Sequence, residues 1–314
     1  MSLIKINDLI SDYIIDINPD ENDFDFITSI IKIVLSTPVR VRTQTYHHYY
    51  DIENSIEDVS KFYQTLNPEY NDRLYHLIKS GEMRLEEVSE HSRNNFIAYS
   101  EITPEGKSNI FLPYNNTVED SFTINHETLH DTNLIPEFIE SRFLFTEAIS
   151  ILGEMLQEDY YKSLLNPPKE FHKNGIDVLK AVVSKSVSLK IQLGLIRLMQ
   201  KYGEITKDNL SELELLKIQR RTINKYLRYY SCCDELPFDQ DQTHVLGYVF
   251  ASHMHQSGNG KDHLLEINPM LNKMDFVDIL ESIGVTVTDD GYDLSKDSKK
   301  ILLKSYREEV SRFR

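Results

Sequence analysis

His126-Glu127-Thr128-Leu129-His130 sets two imidazoles and a carboxylate within five residues, in the spacing H-E-x-x-H. On a helix, positions i and i+4 lie about 40° apart, so both histidines can reach one metal ion. Glu127 falls beside them, where a carboxylate can take a proton from a metal-bound water. This is the donor set of a zinc hydrolase. The competing structural role is a pair of histidines that merely caps a buried helix.

A catalytic zinc takes a third protein ligand and keeps one position open for water. A third histidine close behind the motif is excluded, because Asn133 and Pro136 stand where the Gly and His of that pattern belong. The acidic candidates lie in 136–165, a long helical stretch with Pro136 at its first turn. There Glu140, Glu147 and Glu154 recur every seven residues and share a face with Phe143, Leu144 and Ile151. Glutamates on an apolar face are costly unless paired or bound to metal. Glu154 is assigned to the edge of a solvated stripe, whereas Glu140 and Glu147 are both candidate ligands. A tight loop over 131–135 would bring Glu140 to the height of the histidines. An extended path over 131–137 would bring Glu147 there instead.

Several elements must position these groups. Thr117-Val118-Glu119-Asp120 predicts a helix start, with Thr117 as N-cap and acids in the first turn. Phe122, Ile124 and Leu129 then form its buried side. Upstream, Phe96-Ile97-Ala98-Tyr99 and Asn109-Ile110-Phe111-Leu112 flank Thr103-Pro104-Glu105-Gly106, which predicts a hairpin. A strand edge beside a metal helix can pair with an extended peptide, so Asn109, Ile110 and Phe111 are the expected substrate-binding residues. Strand signals are confined to 38–46 and 96–114. Elsewhere apolar residues follow a helical period, as in Leu189-Leu193-Ile196-Met199, with long helices expected over 175–202 and 206–230.

The stretch from Phe138 to Ala148 resembles the helix that supplies the glutamate ligand in the thimet oligopeptidase and oligoendopeptidase F family of zinc peptidases. The segment Met274 to Val285 resembles the C-terminal part of oligoendopeptidase F, with a final helix expected from Leu294 to about Arg312. The resemblance implies Glu147 as third Zn²⁺ ligand, with Glu140 as an acceptor that holds a histidine tautomer. It also implies His244 and Tyr248, from Pro237-Phe238-Asp239-Gln240-Asp241-Gln242-Thr243-His244-Val245-Leu246-Gly247-Tyr248, as donors to the oxyanion. Two features depart from the family. Leu129 stands where a Gly is usual before the second histidine, and the seventeen residues from His130 to Glu147 are fewer than usual. The helical periodicity predicts a mainly α fold class with a small β-sheet or hairpin beside the metal helix, and the resemblance implies a helical zincin-like catalytic domain. Residues 1–95 are expected to form an N-terminal helical lobe with a short strand segment. Residues 96–314 are expected to form the peptidase region, packed with that lobe as one unit.

The peptidase resemblance implies a peptide or protein substrate, and bulk properties argue against other partners. With 50 acidic against 34 basic residues the formal charge is −16, and no basic cluster offsets it, which argues against nucleic acid. The apolar run from Phe26 to Leu35 contains Lys32 and is too short to span a bilayer, so no membrane insertion is expected. Asp8 and Asp12 interrupt the first apolar residues, so no cleaved leader is recognisable. Adjacent Cys232 and Cys233 suit a reducing compartment. The expected location is the cytoplasm, or outside the cell by a route without a cleaved signal; oligomeric state is left open. His47-His48 lies among tyrosines and is either a cleft lining or a surface aromatic patch, whereas His253 and His255, two apart, fall on different helix faces. A di-iron site would need a second Glu-x-x-His, which the chain lacks. The alternative of another class is an inactive peptidase fold that serves as a binding module.

Overall fold

Apolar residues spaced three and four apart fold most of the described residues into helices, and three short runs among them form strands. The computed structural model describes residues 3–17, 24–39, 49–88, 98–103, 107–131, 140–164, 171–271, 273–289 and 293–313. In order these form α1 (Leu3–Ile17), α2 (Asp25–Leu35), α3 (Ile52–Leu66), α4 (Pro68–Ser80), β1 (Met83–Glu87), β2 (Tyr99–Ile102), β3 (Ser108–Tyr114) and α5 (Glu119–Asp131). There follow α6 (Glu140–Ser163), α7 (Phe171–Tyr202), α8 (Arg220–Tyr230), α9 (Phe238–Met254), α10 (Gly260–Ile267), α11 (Phe276–Ser282) and α12 (Lys296–Ser311). The protein is thus mainly α with one small sheet. No described helix is long and apolar enough to cross a membrane, and both cysteines are free thiols.

Helices α6 and α9 pack on each other at the centre, with α5 against α6 and with α7 and α12 against α9. Phe145 of α6 stacks on Phe250 of α9 with ring centroids 5.5 Å apart, and both are fully buried. The boundary expected at 95/96 lies outside the described residues, but its two sides share one core: α3 packs on α5, and β1 pairs with β3. Tyr63 of α3 donates to Asn125 Oδ1 of α5 at 2.8 Å, and Asn125 Nδ2 donates to Gln157 Oε1 of α6 at 2.9 Å. That buried amide relay fixes the metal-helix candidate α5 between its neighbours, since a buried polar group left unpaired would cost about 1–3 kcal/mol.

The sheet corrects one expectation. Its order is β1-β3-β2, with β1 parallel and β2 antiparallel to β3. Asn109, Ile110 and Phe111 therefore lie on the central strand, whose backbone is paired on both sides and cannot add a peptide. Ile110 is fully buried, and Phe111 packs its ring 5.7 Å from Tyr99. The strand edge next to α5 belongs to β2. Two further expectations, the strand signal over 38–46 with His47-His48 and the tip of the 103–106 turn, lie largely outside the described residues.

The helix expected over 206–230 is divided. A 3-10 segment runs Asn209–Leu216, and Lys217, at φ 57°, breaks the ladder before α8. Left-handed backbone is unfavourable for a residue with a Cβ, so the chain leaves the helical path there. Nor is the surface uniformly acidic. Between 217 and 233 stand Lys217, Arg220, Arg221, Lys225 and Arg228 with no acidic residue. Arg221, Lys225 and Arg228 are exposed along one side of α8, opposite buried Ile223, Leu227 and Tyr230.

The far ends of α6, α9 and α12 are tied by charge. His255, just after α9, places Nδ1 2.9 Å from Glu309 Oε2 and Nε2 2.9 Å from Asp159 Oδ2. Arg312 donates to Glu309 Oε1 at 2.8 Å and also pairs with Asp159. Burial opposes the imidazolium, but Asp159 and Glu309 prevail and raise the His255 pKa to about 9. A raised pKa adds stability that is complete below the unfolded value near 6.5 and is lost as pH climbs through 9. The expected result is a fall of about 3 kcal/mol in unfolding free energy between pH 6 and pH 10 from this residue. Urea unfolding at the two pH values checks it: the fall should shrink in His255→Gln, and an equal fall in both proteins would remove His255 as its source.

Candidate metal centre

Local sequence explains where the two histidines point. Asp120 Oδ2 accepts from Thr117 N at 2.8 Å, so the chain enters α5 through the reciprocal half of a capping box. At the other end Asp131 takes both a guanidinium fork from Arg73 and the Ser108 hydroxyl, which locks the last turn to α4 and β3. Buried Ile124 and Leu129 turn one side of α5 inward. Leu129 occupies the position where the resembled family carries Gly, and the facing helix supplies the missing space. A Cβ on Gly153 of α6 would lie 2.1 Å from Leu129 Cδ1. The two helices approach closely at that point, with Leu129 on α5 and Gly153 on α6.

That approach brings three donors together. His126 Nε2 and His130 Nε2 are 2.9 Å apart, and Glu147 Oε2 of α6 lies 3.6 Å from the first and 3.2 Å from the second. Bonds of about 2.0–2.2 Å from zinc to nitrogen and oxygen, at tetrahedral angles, require donor separations near 3.3 Å. The observed triangle fits that figure. The two imidazole nitrogens are also within hydrogen-bonding distance of each other. Glu147 Oε1 is buried and accepts no hydrogen bond from the described residues; His244 Nε2 lies 3.3 Å away but out of alignment for one. The donor set could therefore hold a metal ion, and its residue types suit Zn²⁺.

Behind His126 stands a carboxylate that the sequence reasoning set aside. His126 Nδ1 lies 2.7 Å from Glu154 Oε1, and Asn174 Nδ2 of α7 donates to Glu154 Oε2 at 3.0 Å. A carboxylate at Nδ1 holds a proton there, so Nε2 is the nitrogen that would give up its proton to bind a metal. Glu154 is thus no solvated residue. It does what was expected of Glu140, which begins α6 and whose side chain lies outside the described residues. The signal was present in the seven-residue spacing, which put Glu154 on the face of Glu147; the pattern does not say how deep a position sits. Burial would lower the His126 pKa, but Glu147 and Glu154 overcome it and hold it well above the ordinary value. Burial likewise works against ionised Glu147, yet His244 and His126 hold its pKa well below the usual carboxylate range. The centre is electrostatically built for a cation among carboxylates. Glu154→Ala is expected to weaken zinc binding about 10- to 100-fold. Competition against a chromophoric chelator measures this, and unchanged affinity would strip the Glu154 contact of any part in metal binding.

Glu127 is 6 % exposed and lies outside the donor triangle. Its Oε2 accepts from the Ser100 hydroxyl on β2, so the edge strand orients the carboxylate. Sequence reasoning missed Ser100, because no pattern links it to α5. His244 reaches the centre from α9, which comes close to α6 at Gly247: a Cβ there would lie 3.0 Å from Glu147 Cγ. Burial lowers the His244 pKa, with Glu147 opposing. Tyr248, one turn on, goes elsewhere. It is 2 % exposed and meets Tyr306 of α12 edge-on at 6.1 Å, so the oxyanion role expected of it falls away. The other histidines form no second centre among the described residues; His253 bonds Ser305 Oγ and the Ile283 carbonyl.

Compared with protein-family models, curated proteins and solved structures, the chain yields no match. The peptidase resemblance rests on the quoted residues alone.

Proposed function

We propose that the protein is a zinc-dependent peptidase of the H-E-x-x-H plus glutamate type, similar to the thimet oligopeptidase and oligoendopeptidase F family. The observation that carries this reading is the His126, His130 and Glu147 triangle, with Glu154 fixing the His126 tautomer. When bound, Zn²⁺ supplies a Lewis acid that lowers the pKa of a coordinated water to about 7. Glu127, oriented by Ser100, accepts the proton of the attacking water and passes it to the leaving amine. His244 donates an N–H to the oxygen that becomes negative as the peptide carbonyl is attacked.

The edge of β2 gives an extended peptide a place to lie. Thr103 N donates to Lys107 O at 2.8 Å, which makes that pair a bonded one in the antiparallel ladder. Alternation then turns the Ser100 backbone N–H and C=O away from β3. Among the described residues no strand covers that edge. A peptide paired there would pass Ser100, whose side chain already holds Glu127. The test is incubation of the zinc-loaded full chain with quenched fluorescent peptides, with and without chelator. Cleavage that stops on chelation and returns with zinc supports the reading; no cleavage of any peptide, or cleavage indifferent to chelation, removes it.

A further inference from the structure

Helix α7 presents a cation to this centre that the mechanism above leaves unused. Asn174 and Gln192, eighteen residues apart, mark one face of α7. Eighteen residues make about five full turns. Asn174 bonds Glu154, and Gln192 Nε2 donates to Asp241 Oδ2 of α9 at 3.0 Å. Lys185 stands eleven residues after Asn174 and seven before Gln192, about three turns and two turns, so it shares their face. Both landmarks border the centre. Glu154 lies two turns beyond Glu147 on α6, and Asp241 one turn before His244 on α9. Lys185 is therefore held at the level between them, facing Glu147 and His244.

Its surroundings are unusual for a lysine. The side chain is half-buried and makes no hydrogen bond or ion pair with any described residue. Burial draws its pKa down, while Asp241 and Glu147 oppose this from a distance. Neither acid is available as a close partner: Asp241 accepts from Gln192, and Glu147 is turned to the histidines. A partly desolvated ammonium without a close counter-ion is costly, and an arriving anion would relieve that cost where water screens less than in bulk.

We propose that Lys185 is the anion-recognition residue of the cleft and takes a carboxylate of the peptide substrate. The proposal rests on the peptidase reading and gives it a substrate class: peptides that carry a carboxylate near the scissile bond. That carboxylate has two sources, the C-terminal group of a short peptide or an acidic side chain. An ammonium serves either one, since it is a point charge with three rotatable donors.

The test uses the zinc-loaded full chain with Glu127→Gln added to prevent turnover, and reads affinity by calorimetry. One peptide pair differs only in a free or amidated C-terminus, and a second pair only in Glu or Gln beside the central bond. The charged member of one pair should bind about 10- to 100-fold more tightly than its neutral twin, the range of a charge-assisted bond. That ratio should collapse towards unity in Lys185→Met and survive in Lys185→Arg, with zinc content equal in all three. The pair that shows the ratio names the source. Equal affinities within both pairs, or a ratio that outlasts Lys185→Met, would overturn the proposal. Binding needs no turnover, so the two ideas fail separately. A Lys185-dependent ratio in a protein that cuts nothing removes the peptidase reading alone; cleavage without any ratio removes the Lys185 proposal alone.

Discussion

Glu127→Gln should keep its full zinc content and lose peptide hydrolysis by about 10²–10⁴-fold, the usual contribution of a positioned general base. The substitution preserves shape and leaves the donor triangle untouched, because Glu127 is not one of its members. It also leaves an oxygen to accept from Ser100, so the contact between α5 and β2 can persist. What it removes is the ability to take a proton from water. The loss should therefore fall on kcat rather than on KM, since no ground-state contact to substrate is deleted. Parallel measurement of zinc content and kcat separates the outcomes. Zinc retained with full turnover would contradict the mechanism, and zinc lost would show that Glu127 supports the centre instead.

Glu147→Ala should produce the opposite pattern, in which metal binding and activity disappear together. Glu147 brings the only donor of the triangle that comes from α6, so its loss leaves two imidazoles on one helix. Two ligands make a poor zinc site, and affinity should drop by more than the roughly 10- to 100-fold expected from losing an outer partner such as Glu154. The side chain is 4 % exposed, so the change also opens a small void beside Gly247. Gentler replacement by Gln fills that void and separates lost charge from lost packing. Chelator competition on the set, with Glu140→Ala beside it, ranks the ligands. A larger loss in Glu140→Ala than in Glu147→Ala would move the third ligand to Glu140.

What the sequence could and could not convey follows from the range of the signals. His126, Glu127 and His130 were legible because one helix carries all three, and helical geometry alone fixes their relation. The choice between Glu147 and Glu140 was not, because it turns on the path of the chain between α5 and α6. Glu147 faces the histidines although seventeen residues separate it from His130. Glu154 failed for a different reason: periodicity gives a residue its face, whereas only packing against α7 gives it Asn174 as a partner. Leu129 looked like a defect in the motif until Gly153 met it from the opposite helix, a compensation that no local pattern reveals. The hairpin of β2 and β3 was readable from its turn residues. The pairing of β1 was not, since Met83-Arg84-Leu85-Glu86-Glu87 has weak alternation and joins β3 from a distance. Tyr248 was misplaced because a position one turn from His244 says nothing of α12, which closes over it. The mainly helical class was open to sequence because apolar periodicity is local and repeated many times.

The most direct test of the central claim is the metal content of the purified full chain by plasma mass spectrometry, after zinc addition and removal of the excess. One zinc per chain in the wild type, and close to none in Glu147→Ala, is the result this account predicts. A wild-type protein that binds no zinc under those conditions would contradict it, and would leave the cluster as a buried charge network in a helical binding protein.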